Sequence, residues 1–303
     1  MFLLLHLVVN SINTEQKRSG AKMKAKKLIG CENKLGEGPL WVKEEQKLFW
    51  VDIEGRGIYE LDYRDHSLKH YPTPKRPCAL AEKNEHELHV IFEDGLYVWD
   101  KTQNDARVVD RVEISPGNRF NDGKKDPWGR LWAGTMNENG ELEKGSLYVW
   151  MEDGTRRTVM EDVSISNGLA WNKRAQTMYY IDTPTRTVYQ FHYDAKTGAL
   201  ANEEVVYTFQ EEDGHPDGMT IDGDGNLWIA LFGGYGVAVV DPWKREWIDT
   251  VEVPAKNVTC CVFGGPDGDE LFITTATEGL QEPDMVEYPD SGSLFHIKVH
   301  RSL

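Results

Sequence analysis

Residues 37–52, EGPLWVKEEQKLFWVD, recur in pattern at residues 167–182, NGLAWNKRAQTMYYID. Aligned without a gap, the two segments match Trp41 with Trp171 and Asp52 with Asp182. Each segment has two short apolar or aromatic runs around a polar turn, and runs of about four to eight such residues are typical of β-strands. The segment is therefore a repeated strand pair, and the rest of the chain can be searched for further copies.

Similar runs return at a regular spacing along the whole chain. The aromatic or equivalent residue of each lies at position 50, 89, 132, 180, 228 and 272, at intervals of 39, 43, 48, 48 and 44 residues. No segment shows a long helical stripe, and a period in this range is typical of propellers with four strands per blade. The spacing predicts an all-β, six-bladed β-propeller with four-stranded antiparallel blades around a central channel. We call its repeats units one to six.

A propeller must close its ring, because an open ring would leave exposed strand edges. The strand-like segment AKKLIG, residues 25–30, lies far from any partner in the sequence. We predict that it completes the unit that contains SLFHIKV, residues 293–299, near the end of the chain.

The composition excludes several classes of partner. With 34 basic and 50 acidic side chains the formal net charge is −16, and such a field repels phosphate backbones and anionic lipid. We therefore expect neither nucleic acid nor a membrane as a partner. The expected protein is a monomer or weak homo-oligomer that binds a small molecule.

The beginning of the chain differs from the repeats. The apolar run of residues 2–9 is interrupted by His6, is too short to span a bilayer and lacks a basic segment before it. We predict that residues 1–22 are an N-terminal extension, as a leader, a disordered arm or the result of a true start at Met23. Residues 23–303 are expected to form a single domain. We expect a cytoplasmic protein, or a secreted one if residues 1–11 act as a signal peptide.

One position at the start of the innermost strand of each unit carries the chemistry of the predicted site. Alignment of residues 126–132 with residues 222–228 extends the comparison to units three and five. Four oxygen-bearing side chains then share the position: Glu37, Asn121, Asn167 and Asp217. Units two and six have Cys78 and Thr259 there. Because innermost strands line the channel and begin at one face, we expect the four side chains to converge near the axis.

Two carboxylates and two carboxamides around a channel need a cation or water between them. Calcium, magnesium and manganese favour such oxygen ligands, whereas zinc more often takes His or Cys. We predict one divalent cation, Ca, Zn, Mg or Mn, with coordination positions left for water or substrate. Asn–Gly and Asp–Gly pairs are also common turn formers, so turn chemistry alone is the alternative for them, but it does not suit Glu37.

Other residues give weaker signals. Arg119 lies two residues before Asn121, where unit five has His215, so both are candidate substrate donors at the channel mouth. The segment DGDGN, residues 222–226, lacks the later ligands of a calcium loop and is predicted to be a hairpin turn. The chain has no G-x-S-x-G and no G-x-x-x-x-G-K motif, so serine hydrolases and nucleotide hydrolases have no support.

Four motifs give the chain a resemblance to a known family. They are GEGPLW (36–41), NRFNDGKKDPWGRLWAGTM (118–136), SNGLAW (166–171) and HPDGMTIDGDGNLWIA (215–230). Over residues 30–299 the chain resembles the family that joins senescence marker protein (regucalcin), gluconolactonase and luciferin-regenerating enzyme. Together the motifs are specific for the family but not for a substrate within it.

The resemblance implies a six-bladed propeller with one divalent metal. The metal ligands that it implies are Glu37, Asn167 and Asp217. It also implies that Arg119 and Asn121 bind substrate hydroxyls or the lactone oxygens. Glu138 follows the GTM motif, where an acidic residue touches substrate in some family members, and Asn139 comes next in this chain.

We therefore expect a metal-dependent hydrolase that opens a sugar lactone to the aldonic acid, as a gluconolactonase does. In this mechanism Asp217 accepts a proton from the attacking water. Two alternatives stay open. One is metal-dependent hydrolysis of an organophosphate or another ester, and the other is a non-catalytic, calcium-binding regulatory propeller.

Overall fold

The computed structural model describes residues 23–299, which form β-strands joined by turns and three short helical segments. The extension predicted over residues 1–22 lies outside this range. The assignment of residues 23–303 to a single domain stays a prediction.

The elements are given in chain order. The first ten strands are β1 (Met23–Lys24), β2 (Lys26–Ile29), β3 (Gly36–Val42), β4 (Lys47–Asp52), β5 (Gly57–Asp62), β6 (Leu68–Pro72), β7 (Pro77–Glu82), β8 (Glu87–Phe92), β9 (Gly95–Asp100) and β10 (Asp105–Arg111). The next eight are β11 (Asn118–Lys125), β12 (Leu131–Asn137), β13 (Gly145–Trp150), β14 (Arg156–Val163), β15 (Ser166–Asn172), β16 (Thr177–Asp182), β17 (Thr187–Tyr193) and β18 (Leu200–Thr208). The last seven are β19 (His215–Ile221), β20 (Leu227–Phe232), β21 (Gly236–Asp241), β22 (Glu246–Glu252), β23 (Asn257–Gly264), β24 (Glu270–Ala276) and β25 (Leu294–Lys298). The helical segments are two 3₁₀ turns, Thr183–Thr185 and Glu211–Asp213, and the helix α1 (Glu282–Glu287).

The strands form an all-β propeller, as predicted. Four separate antiparallel sheets each contain four consecutive strands, β3–β6, β7–β10, β11–β14 and β15–β18. The remaining strands form one nine-stranded sheet, in which β19 to β22 and β23 to β25 with β2 are joined where Phe232 pairs with Asn257. Because this one contact links the last two groups of strands, the pairing gives five sheets, and the number of six blades stays a prediction.

The innermost strands of the described chain make a closed circuit. In order they are β3, β7, β11, β15, β19 and β23, and each contacts the next, with β23 returning to β3. The second strands carry the repeated aromatic positions, and Trp50, Trp132 and Trp228 on them are fully buried. Burying such large rings is worth roughly 1.5–3 kcal/mol each. The core therefore lies between neighbouring sheets and leaves the inner strands free to line the axis.

Two aspartates confirm the alignment of unit one with unit four. The carboxylate of Asp52 accepts hydrogen bonds from the backbone N–H groups 17 and 18 residues before it, at 2.9 and 3.0 Å. Asp182 accepts the equivalent pair at 2.8 and 3.0 Å. Each aspartate thus ties the end of the second strand to the segment that leads into the innermost strand.

A second pair of aspartates holds the inner turns of units three and five. Asp126 accepts a hydrogen bond from the indole N–H of Trp132 at 3.1 Å, and Asp222 accepts one from Trp228 at 3.0 Å. The Asp222 amide also bonds to the Asn226 carbonyl at 3.0 Å, which closes the turn. The prediction of a hairpin turn at residues 222–226 is confirmed.

The closure of the ring also follows the prediction. Strand β2 pairs antiparallel with β25, and Lys26 and Lys27 lie opposite His296 and Phe295. All four cysteines are free thiols. Within residues 23–299 the longest helix, α1, has six residues, so no helix there is long and apolar enough to cross a membrane.

Candidate metal centre and active site

All six innermost strands in the described range break register with their partners near their beginnings. The breaks lie between Glu37 and Leu40, Pro77 and Ala79, Phe120 and Gly123, Asn167 and Leu169, Pro216 and Met219, and Val258 and Cys260. The position aligned from sequence falls at or inside each break. Such β-bulges redirect side chains and are common beside active sites, so the local backbone turns this position toward the channel.

Three buried carboxylates lie at these bulges. Glu37, Asp122 and Asp217 are 7%, 5% and 6% exposed. Each accepts a hydrogen bond from the backbone N–H of the glycine that follows it. Gly38, which follows Glu37, has a φ of +53°, a left-handed conformation that glycine adopts without a steric penalty. The sequence therefore combines an acidic residue with a flexible one where the bulge must form.

Burial raises the pKa values of all three carboxyl groups, and neighbouring negative charge adds to the rise at Glu37 and Asp217. Burial, followed by the negative charge of Asp122, raises the pKa of Glu37 to about 8. Burial and the charges of Glu37 and Asp122 raise the pKa of Asp217 well above its ordinary value. Burial also raises the pKa of Asp122. The three groups are therefore electrostatic neighbours, and a cation among them would relieve both the burial and the repulsion.

The nearby cationic side chains are directed to other partners. Lys124 Nζ donates to the Met219 carbonyl at 2.5 Å, across the channel from β11 to β19. Arg119 Nη1 donates to Asn121 Oδ1 at 2.8 Å and to the Phe120 carbonyl at 2.9 Å. These charges lower the pKa of Glu37, but burial outweighs them. The buried carboxylates are therefore not fully compensated by these side chains, and a divalent cation would supply the missing positive charge.

The amide of Asn167 has a fixed orientation. The Thr183 hydroxyl donates to the Pro216 carbonyl at 2.8 Å, so it must accept, not donate, in its 2.8 Å bond to Asn167 Nδ2. Asn167 Oδ1 is left on the other side, where it accepts from Asn121 Nδ2 at 3.2 Å. A carbonyl oxygen has two lone pairs, so this oxygen can also bind a metal.

The residues predicted to bind substrate lie in two places. Asn121 bridges the third and fourth innermost strands, because its Nδ2 also donates to the Ser166 carbonyl at 3.0 Å. Arg119 is 6% exposed and uses Nη1 for both of its hydrogen bonds, so Nε and Nη2 remain for a ligand as far as residues 23–299 are concerned. Glu138 lies outside the buried cluster, at the surface, in an ion pair with Arg76. His215 is exposed at the start of β19.

The structure thus places Glu37, Asn121, Asn167 and Asp217 at the bulged starts of the innermost strands, and Asn121 donates a hydrogen bond to Asn167. It adds Asp122 and Lys124, for which the sequence suggested no role. No group of three or more His, Cys, Asp and Glu side chains within residues 23–299 is arranged to hold a metal ion alone. The predicted ligand set is different in kind, since it combines two carboxylates with an amide. Asp122 could have been found from the alignment, because the other three motifs have glycine at its position. Lys124 gives no comparable signal.

A cavity of about 540 Å³ lies elsewhere, at the turns that end the fourth and fifth innermost strands. Trp171, Lys173 and Trp243 are among the residues that line it, and it includes none of the predicted site residues. The buried charges and the oriented amide, rather than the volume of this cavity, locate the candidate site at the opposite ends of these strands.

Comparison with known proteins identifies the family of this chain. Residues 35–277 match the SMP-30/Gluconolactonase/LRE-like region, and the chain belongs to this family. It is 43% identical over 262 residues to the putative sugar lactone lactonase YvrE of Bacillus subtilis, a match that covers 86% of this chain and 90% of the relative. It is 36% identical over 272 residues to regucalcin of Xenopus laevis, which covers 87% of this chain and 90% of that protein.

A solved structure is also similar. The calcium-binding protein regucalcin from Agrobacterium tumefaciens superposes with a TM-score of 0.87 at 29% identity, over 93% of this chain and 99% of that one. The family resemblance inferred from the four motifs is therefore confirmed.

Proposed function

We propose that this protein is a divalent-metal-dependent hydrolase that opens a sugar lactone to the corresponding aldonic acid. The observation that carries the proposal is that three buried carboxylates and the oriented Asn167 amide lie at the bulged starts of the innermost strands. The family and the name of the Bacillus subtilis relative support a lactone as the substrate class.

The metal would be held by Glu37, Asn167 and Asp217. Oxygen ligands of this kind suit calcium, magnesium or manganese and are less typical of zinc. When bound, a divalent cation polarises the lactone carbonyl and makes water a better nucleophile. Because the three side chains occupy only part of a coordination sphere, substrate and water have room at the site.

The protein's own residues orient the lactone and move the proton. Arg119 and Asn121 lie beside the carboxylates and would bind the ring hydroxyls or the lactone oxygens, and Glu138 would accept a hydrogen bond from a hydroxyl at the mouth. Asp217 accepts a proton as the water oxygen bonds to the carbonyl carbon. The ring C–O bond then breaks, its oxygen takes up the proton as a hydroxyl group, and the product is the open-chain acid.

We also propose that the propeller has six blades. The nine-stranded sheet divides at the single Phe232–Asn257 pair into two groups of four strands, with β1 added along β22. The closed circuit of six innermost strands supports this division. Six blades would place the four oxygen-bearing positions around one axis.

A substrate panel tests the function. The purified protein is stripped with chelator, reloaded separately with Ca, Mg, Mn or Zn, and assayed on five- and six-membered aldonolactones and on phosphotriesters. We expect lactone hydrolysis that needs the metal and is lost in Glu37→Gln and Asp217→Asn. The control is Glu204→Gln. Glu204 lies on the outer strand β18, is half exposed and forms an ion pair with Arg245.

Each other outcome has a defined meaning. Full lactone hydrolysis by both site variants after reloading would overturn the proposal. Faster turnover of phosphotriesters than of every lactone would favour the ester hydrolase. Calcium binding without hydrolysis of either class would favour a regulatory protein.

A further inference from the structure

Arg76 lies at the mouth of the channel in the position that Arg119 has one unit later. Each arginine is two residues before the aligned position of its unit, which is Cys78 in unit two and Asn121 in unit three. The Arg76 carbonyl accepts a hydrogen bond from the backbone N–H of Glu93 at 3.0 Å, which fixes it beside the end of β8. The repeat therefore brings a second guanidinium group to the face at which the innermost strands begin.

The guanidinium group of Arg76 contacts three carboxylates. Its Nε donates to Glu93 Oε2 at 2.6 Å, while Nη1 donates to Glu54 Oε1 at 3.2 Å and to Glu138 Oε1. These glutamates follow β4, β8 and β12, the second strands of the first three units. The Arg76 side chain is 16% exposed, whereas that of Glu138 is 38% exposed. Arg76 is thus the enclosed partner, and Glu138 is the one that reaches solvent.

The charges make the position of Glu138 depend on Arg76. Without the arginine, Glu54, Glu93 and Glu138 would be three like charges around one point, and they would repel one another. A guanidinium group serves partners in two directions at once because its donors form a planar fork, which the single ammonium of lysine does not provide. Arg119 also attracts Glu138, but the direct ion pair is with Arg76.

We propose that Arg76 is a positioning residue that holds Glu138 at the channel mouth, where Glu138 accepts a hydrogen bond from a substrate hydroxyl. The inference rests on the proposed lactonase function. Arg76 is separate from the proposed metal ligands and from Asp217, so its loss acts on substrate binding and leaves metal binding and proton transfer intact.

Kinetics of a double-mutant cycle test the role. Relative to wild type, Arg76→Met and Glu138→Gln are each expected to raise KM for the lactone about tenfold and to leave kcat within about twofold. The double variant should have a KM no higher than that of the worse single variant, and Arg76→Lys should recover only part of the loss. The Kd of the metal, measured by calorimetry, should be unchanged in all of them.

The control is Arg107→Met. Arg107 lies on the outer strand β10, its side chain is 60% exposed, and it forms an ion pair with Glu87 at 2.9 Å. The KM of this variant should therefore stay at the wild-type value. Multiplicative KM increases in the double variant, or a wild-type KM in Arg76→Met, would overturn the inference. If Arg76→Met does not fold, Arg76→Gln replaces it in the cycle.

A crystal structure of the Arg76 variant separates this inference from the proposed function. We expect Glu138 to leave its place beside Glu54 and Glu93 when Arg76 is replaced. Glu138 in its original position would overturn the positioning role whether or not the enzyme turns over. Wild-type protein that hydrolyses no lactone with any of the four cations would overturn the proposed function instead, since the crystal structure does not depend on turnover.

Discussion

Replacing Glu37 with glutamine should stabilise the metal-free protein while it weakens the binding of metal. Glu37 is buried and has Asp122 and Asp217 as charged neighbours. Glutamine has nearly the same shape and keeps a carbonyl oxygen for the backbone N–H of Gly38, which lies 3.0 Å from Glu37 Oε2. The substitution therefore removes the ability of this side chain to ionise and changes little else.

The size of the effect follows from the pKa of Glu37. Burial raises that pKa from an ordinary 4.5 to about 8. A carboxyl whose pKa is raised by folding contributes stability that is fully present below pH 4.5 and is lost as the pH rises toward 8. At pH 7 this loss amounts to about 3 kcal/mol in the wild type and is absent from the variant. Metal at a concentration 100 times its Kd stabilises the wild type by about 2.7 kcal/mol, and the variant by much less.

The free energy of unfolding of both proteins is measured with denaturant at pH 4.5 and at pH 7, once in chelator and once in calcium. In chelator at pH 7 we expect Glu37→Gln to be more stable than wild type by about 3 kcal/mol, and at pH 4.5 the two should be alike. The matched control is Glu60→Gln, because buried Glu60 is paired with Lys47 at 2.7 Å and Tyr71 at 2.8 Å. A Glu37→Gln variant less stable than wild type in chelator at pH 7 would refute the reasoning.

The control and three further substitutions make additional predictions. Burial acts to raise the pKa of Glu60, but its hydrogen bonds outweigh burial and lower that pKa. Glu60→Gln should therefore destabilise the protein at pH 7, and the destabilisation should disappear as the pH falls below 4.5. Asp126→Asn should cost about 3 kcal/mol in denaturant unfolding, because it removes the charge that faces a buried arginine, and unchanged stability would contradict this. Thr183→Val removes the hydroxyl that orients Asn167, so calorimetry should show metal binding about tenfold weaker, whereas an unchanged Kd would mean that the amide is not a ligand. Gly218→Ala would place a methyl group against the side chain of buried Cys260, so the protein should lose about 1–3 kcal/mol of stability, and wild-type unfolding would exclude the clash.

The all-β propeller could be predicted because the same strand pattern recurs in every unit, so an assignment made in one unit can be checked in the others. The gapless match of units one and four fixed the register, and the equivalent bonds of Asp52 and Asp182 show that the two units have the same local structure. The pairing of Phe232 with Asn257 could not be predicted, since whether two neighbouring sheets share a hydrogen-bonded pair depends on small separations between their strands. No sequence pattern encodes such a separation.

The candidate site can be proposed from sequence where its residues share one repeat position. Alignment selects Glu37, Asn167 and Asp217 in this way, whereas Asp122 lies one position further on and outside that set. The partners of Arg76 and Glu138 come from loops of different length after different second strands, and loop conformation does not follow the repeat. Alignment therefore predicts which residues the inner strands contribute, whereas the contacts at the rim of the channel can be read only from the three-dimensional structure.

The pairing of β2 with β25 has a consequence for how the protein is made. Strand β2 is synthesised well before β25, since Lys26 pairs with His296. At about 5–20 residues per second, roughly 15–50 s pass between the synthesis of the two strands. The ring can close only after β25 has been made, so the nascent chain carries an unpaired strand edge throughout that interval.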